Sequence, residues 1–93
     1  MSKLSDDQVA AFADTNPGWK AEGDQILKDF EFEDFNEALG FVMRVGLLAE
    51  RANHHPDIDI RWNKVSVHLS THSEGGITGK DTDLASEVDA LIG

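Results

Sequence analysis

Apolar residues in this chain recur first at helical spacing and then at alternate positions, and the cycle repeats before a last helical stretch. Val9, Phe12 and Ala13 share one helical face, and Ser5 with Gln8 forms a capping-box pattern, so a short helix is expected from about Asp6 to Ala13. Pro17 and Gly18 stop it. "WKAE" and "QILKDFEF" flank Gly23–Asp24 and predict a hairpin over Trp19 to Phe32, with Ile26, Phe30 and Phe32 on one face and Lys28 breaking the alternation. Asp34 and Glu37 mark the start of a long helix, "FNEALGFVMRVGLLAERAN", that reaches about Asn53. Its apolar positions fall in two adjacent stripes, one of Phe35, Leu39, Val42, Gly46 and Ala49, the other of Ala38, Phe41, Val45, Leu48 and Ala52. Together they exceed the sector of about 100° that one sheet face would cover. One edge is expected on a sheet and the other against a second subunit.

Beyond "HHP", Ile58, Ile60 and Trp62 alternate with Asp57, Asp59 and Arg61 in a half-buried strand pattern. Asn63–Lys64 reads as a turn, and Val65, Val67 and Leu69 carry a second strand that ends near Thr71–His72. "SEGG" reads as loop, and Thr78 with Asp81 forms another capping box ahead of a helix through Leu84, Ala85, Val88, Leu91 and Ile92. The order is α-β-β-α-β-β-α. Hairpins in place of crossovers predict an α+β fold of two layers, a four-stranded antiparallel sheet with the helices on one face. One domain is expected over residues 1–93.

Charge narrows the partners. Eighteen acidic against eight basic side chains leave a net charge of −10. A surface that negative repels phosphate backbones and anionic lipid, so neither nucleic acid nor a membrane is an expected partner. No cysteine is present, which removes disulfides, thiolate metal sites and cysteine nucleophiles. The N-terminal segment is polar within a few residues and no apolar run is long enough to span a bilayer, so a cytoplasmic protein is expected.

The candidate chemistry lies with histidine. His54 and His55 follow the long helix and His72 follows the last strand, and element ends are where functional groups tend to sit. Such a cluster can supply a proton donor and a proton acceptor near neutral pH. The bland alternative is a helix-end histidine favoured by the dipole. Zinc held by three imidazoles is a rival, weakened because adjacent side chains such as His54 and His55 diverge. His68 has the parity of the solvated strand face. "GGITGKDT" is one residue short of a phosphate-binding loop, and Asp81 stands where that loop needs Ser or Thr.

The stretch "AERANHHPDIDIRWNKVSVHLSTHSEGGITGKD" resembles the signature of the pterin-4a-carbinolamine dehydratases, through Glu50, His54, His55, Pro56, Trp62, His72 and Asp81. The likeness extends upstream through "FEFEDFNEALGFVMRVGLLAE", and the element order agrees with that family's fold. One departure is Ile58, where an aromatic residue often follows in the family. The resemblance implies dehydration of a 4a-hydroxytetrahydropterin to the quinonoid dihydropterin, which recycles the tetrahydropterin of aromatic amino acid hydroxylases. It implies His54 and His72 as the acid/base pair and His55 as the residue that binds and orients the pterin. It implies Asp81 and Glu50 as orienting residues, Glu50 by a hydrogen bond to His54 one turn on. Pro56, Thr71, Ser73 and Glu74 would form substrate-binding pocket edges, largely through backbone groups. No cofactor and no metal are implied, since the pterin is the substrate. A homodimer or homotetramer, coupled in function to a hydroxylase, is implied as well. The competing expectation is a non-catalytic oligomeric scaffold or coactivator of the same fold, a role some animal members add.

Overall fold

Two β-hairpins, each placed ahead of a helix, build the sheet, and the computed structural model describes them within residues 2–92. Residues 1 and 93, the ends of the expected domain span, lie outside the described residues. The elements are α1 (Asp6–Thr15), β1 (Lys20–Glu22), β2 (Gln25–Glu31), α2 (Phe35–Ala52), β3 (Asp57–Arg61), β4 (Lys64–Leu69), a 3₁₀ turn (His72–Glu74) and α3 (Gly79–Ala90). All strand pairs are antiparallel, in the order β1-β2-β4-β3. The expected α+β architecture is therefore the observed one.

Local chemistry explains most boundaries. Ser5 and Gln8 close the capping box of α1, and Thr78 and Asp81 close that of α3. At α2 the box is split: Asp34 accepts from the Glu37 N–H, while the Glu37 carboxylate turns to the Glu33 N–H. α1 runs past the expected Ala13 to Thr15, whose hydroxyl donates back to the Ala11 carbonyl. α3 ends at Ala90, before the Leu91 and Ile92 that were expected inside it.

One face of the sheet carries the core. Ile26, Phe30, Val65, Val67 and Leu69 meet Val9 of α1, Phe41 and Val45 of α2, and Leu84, Ala85 and Val88 of α3. Each fully buried valine, leucine, isoleucine or phenylalanine side chain there contributes roughly 1.5–3 kcal/mol. Lys28 shares the parity of Ile26 and Phe30. Its Nζ sits 2.8 Å from Asp89 Oδ1 on α3, and Trp19 Nε1 donates to the other oxygen of Asp89 at 2.9 Å. The lysine stem thus stays on the helix-covered face while its charge finds a carboxylate, so the break in alternation is a partly buried, ion-paired position.

Two expectations are corrected here. β3 stops at Arg61, and the turn residues are Trp62 and Asn63, because Arg61 pairs directly with Lys64. Asn63 cannot move, since it exchanges backbone and side-chain hydrogen bonds with Phe32. Trp62 is left to close the hairpin with a left-handed φ of 53° and an exposed ring. On α2 the two expected stripes are recombined. Ala38, Phe41, Val45 and Ala49 are buried, and the exposed stripe is Phe35, Leu39, Met43 and Leu47.

Candidate active site

The long helix ends where its neighbours need the chain to turn. Asn53 adopts a left-handed conformation (φ 52°, ψ 44°), and its N–H reaches back to the carbonyls of Ala49 and Glu50. The next N–H, that of His54, also returns to Ala49 O at 3.0 Å. Pro56 then commits the chain to the extended form from which β3 starts.

This reversal sends the two histidines to different partners. His54 turns inward, to 2.5 Å between its Nε2 and Asp81 Oδ1 in the first turn of α3. His55 turns outward, with Nε2 at 2.8 Å from Glu50 Oε1 and both side chains mostly exposed. The expected bond from Glu50 to His54 is therefore replaced by one to His55. One-turn spacing holds only while the chain stays helical, and Asn53 has already left the helix.

Asp81 is the centre of the arrangement. It is 0% exposed. Its Oδ2 accepts from the Thr71 hydroxyl at 2.8 Å and from the Thr78 N–H at 2.9 Å, while Oδ1 faces His54. A carboxylate only accepts, so His54 presents Nε2–H to it. Asp81 caps α3 and bonds a histidine at once, joining the cap that the spacing predicted to the contact with His54. His54 Nδ1 makes no hydrogen bond among the described residues.

Four of the remaining sequence-predicted residues, Thr71 to Glu74, lie at the 3₁₀ turn. β4 ends at Leu69, short of the expected Thr71–His72, and Thr71 pairs instead with Gly76 in an isolated bridge. "SEGG", expected as loop, contributes Ser73 and Glu74 to the turn, exposed beside His72. His72 lines a surface depression with Glu22, Asp24, Gln25, Ser70 and Gly75. Thr71 is buried, with its hydroxyl engaged by Asp81 and Thr78. Pro56 is half-buried. His68 lies half-buried on the sheet face away from the helices, in register with Leu27 and Asp57.

Sequence reasoning missed Thr78 as a member of the site. Its capping box with Asp81 was the available signal, since a cap aspartate bonded to a histidine brings its cap threonine along. Among the described residues, no three His, Asp or Glu side chains converge as a metal ion requires. The diverging partners of His54 and His55 are the geometric reason.

Comparison with known proteins gives a consistent picture. The family model described as pterin 4 alpha carbinolamine dehydratase matches residues 2–91. A protein of Roseiflexus castenholzii is 48% identical over 89 residues, covering 96% of this chain and 96% of its own. One of Nocardia farcinica is 51% identical over 88 residues, covering 95% and 93%. Both carry the provisional name pterin-4-alpha-carbinolamine dehydratase. Among solved structures, a transcriptional coactivator/pterin dehydratase from Brucella melitensis superposes with a TM-score of 0.94 at 33% identity, covering 99% of this chain and 100% of that one. A pterin dehydratase-like protein described as a RuBisCO assembly factor of the alpha-carboxysome shares the fold, with a TM-score of 0.67 at 22% identity over 81% of this chain and 87% of that one.

Proposed function

The chain belongs to the pterin 4 alpha carbinolamine dehydratase family, and from that premise we propose that it dehydrates a 4a-hydroxytetrahydropterin to the quinonoid dihydropterin and water. The reaction removes the N5 proton, forms the N5–C4a double bond and breaks the C4a–O bond as the hydroxyl takes up a proton. One neutral and one protonated imidazole complete it between them. His54 exchanges its proton through Nδ1, since Nε2–H is held by Asp81. His72 serves the other transfer, and His55, steadied by Glu50, binds and orients the pterin. Pro56, Ser73 and Glu74 form the edges of the pocket. The elimination is redox-neutral and needs only proton transfers, so the pterin is substrate and neither metal nor organic cofactor takes part.

The observation that carries this reading is the buried Asp81, whose carboxylate sets the tautomer of His54. A scaffold gains little from a solvent-free carboxylate aimed at a histidine, whereas a proton-transfer site needs one fixed orientation. The test is acceleration of 4a-carbinolamine dehydration in a coupled phenylalanine hydroxylase assay. A rate equal to the uncatalysed one would leave the scaffold reading, which the shared fold of the assembly factor keeps in view.

The same reading covers the assembly and its setting. Phe35, Leu39, Met43 and Leu47 make an exposed apolar stripe on α2, and covering it with other copies in a homodimer or homotetramer removes that surface from water. In this reading the product feeds tetrahydropterin recycling for an aromatic amino acid hydroxylase, and the cytoplasm is the proposed setting. Among the described residues, no helix is long and apolar enough to cross a membrane.

A further inference from the structure

We propose that Thr71 is a positioning residue of this site, whose hydroxyl aims Asp81 at His54 while its backbone holds the turn that presents His72. Thr71 was expected at a substrate-binding edge through its backbone, and its side chain is buried and bonded to Asp81 and Thr78. Its Oγ1 lies 2.8 Å from Asp81 Oδ2 and 2.9 Å from Thr78 Oγ1. A threonine hydroxyl has one hydrogen, and an acceptor-only carboxylate claims it. Thr78 must therefore donate to Thr71. The Thr78 oxygen in turn accepts the Lys80 N–H at 3.2 Å. The hydrogen bonds run in one direction, from Lys80 N through Thr78 and Thr71 into Asp81.

This direction divides the carboxylate. Oδ2 is saturated by the Thr71 hydroxyl and the Thr78 N–H, which leaves Oδ1 to His54 alone. Thr71 occupies the cap position of the 3₁₀ turn, yet its hydroxyl makes no capping bond. Removing that hydroxyl therefore costs the turn no cap bond. The backbone does the anchoring: Thr71 O accepts from Glu74 N at 3.0 Å, and Thr71 N donates to Gly76 O at 2.8 Å. One residue thus joins the segment bearing His72 to the carboxylate that holds His54. Without the hydroxyl, Oδ2 loses a donor where no solvent can replace it, and Asp81 turns to share its remaining partners.

The inference rests on the proposed proton-transfer role of His54, and its test separates the two. Thr71→Val removes the hydroxyl at nearly constant shape, Thr71→Ala removes it with less bulk, and Thr71→Ser keeps it. In the full-length protein, Val and Ala are expected to lower kcat about tenfold with KM near wild type, and Ser to restore it to within about twofold. Ring ¹⁵N spectra should show a single Nε2–H tautomer of His54 in wild type and Thr71→Ser, and a mixture in Val and Ala. Wild-type kcat with the single tautomer in both hydroxyl-free variants overturns the proposal. So does a raised KM at unchanged kcat, which would return Thr71 to substrate contact. If the wild type itself fails to dehydrate the carbinolamine, the dehydratase reading falls, and the ring spectra still decide the positioning role by the same criterion.

Discussion

Asp81 shows how much chemistry a single buried side chain can organise. Three donors converge on it: a histidine ring, a hydroxyl and a helix N-terminal N–H. Its partner His54 and the exposed His72 are the groups through which proton transfer is proposed, so His54→Ala and His72→Ala should each slow carbinolamine dehydration by about 10²-fold or more. Retention of more than half the wild-type rate by either variant would remove that histidine from the mechanism. Trp62 is a residue of a different kind. A bulky side chain at φ 53° with 67% exposure bears a left-handed backbone strain that its packing does little to offset. Trp62→Asn, which tolerates that conformation, should raise the midpoint of chemical unfolding by the equivalent of roughly 1 kcal/mol. An unchanged or lower midpoint would mean that the indole is held by contacts worth more than the strain.

Among the elements, α2 joins the most functions. One face builds the core, its C-terminal reversal at Asn53 separates the two histidines, and its outer stripe is apolar and exposed. Met43 is 65% and Leu47 64% exposed, so charges introduced there do not disturb the core. Met43→Lys with Leu47→Lys should convert the proposed oligomer to a folded monomer, read as halved or quartered mass by light scattering with an unchanged far-ultraviolet spectrum. An oligomer of wild-type mass would move the interface elsewhere, the short edge strands β1 and β3 being the alternatives. Much of this element was legible in the sequence: its start at Asp34, its end near Asn53 and its excess of apolar positions. Which stripe would be covered was not. The division depends on how the helix rolls against the sheet, and a periodic pattern apolar on both sides does not encode that angle.

For the molecule as a whole, the net charge of −10 is spread over a chain of 93 residues. The described ion pairs offset little of it. Arg51–Glu87 and Arg61–Asp59 are exposed, and such pairs contribute about 0–1 kcal/mol each. Self-repulsion then opposes the compact state, and screening should relieve it. Raising sodium chloride from about 10 mM to about 150 mM is expected to raise Tm by a few degrees, measured at one protein concentration. A falling Tm would show that attractive pairs outweigh the repulsion. Trp19 and Lys28 converging on Asp89 tie the β1 approach, the sheet and α3 together across 70 and 61 positions of sequence. No local pattern announced that clamp. Lys28 registered only as a break in alternation.

By itself the sequence determined what depends on near neighbours. Alternation at Ile58 and Ile60, and at Val65, Val67 and Leu69, marked the strands, because side-chain direction in a strand has a period of two. The caps at Ser5, Asp34 and Thr78 placed the helix starts, because the bonds that satisfy a first turn lie within three residues. The tertiary structure alone decided the partners. His54 meets Asp81 across 27 positions and Thr71 meets it across 10. Glu50 goes to His55 because Asn53 breaks the helix between them. The two pairings with Asp81 exist only once α3 has packed beside the end of α2. Burial then supplies the reason for them: a carboxylate removed from water must find its donors within the protein, and the fold determines which are in reach.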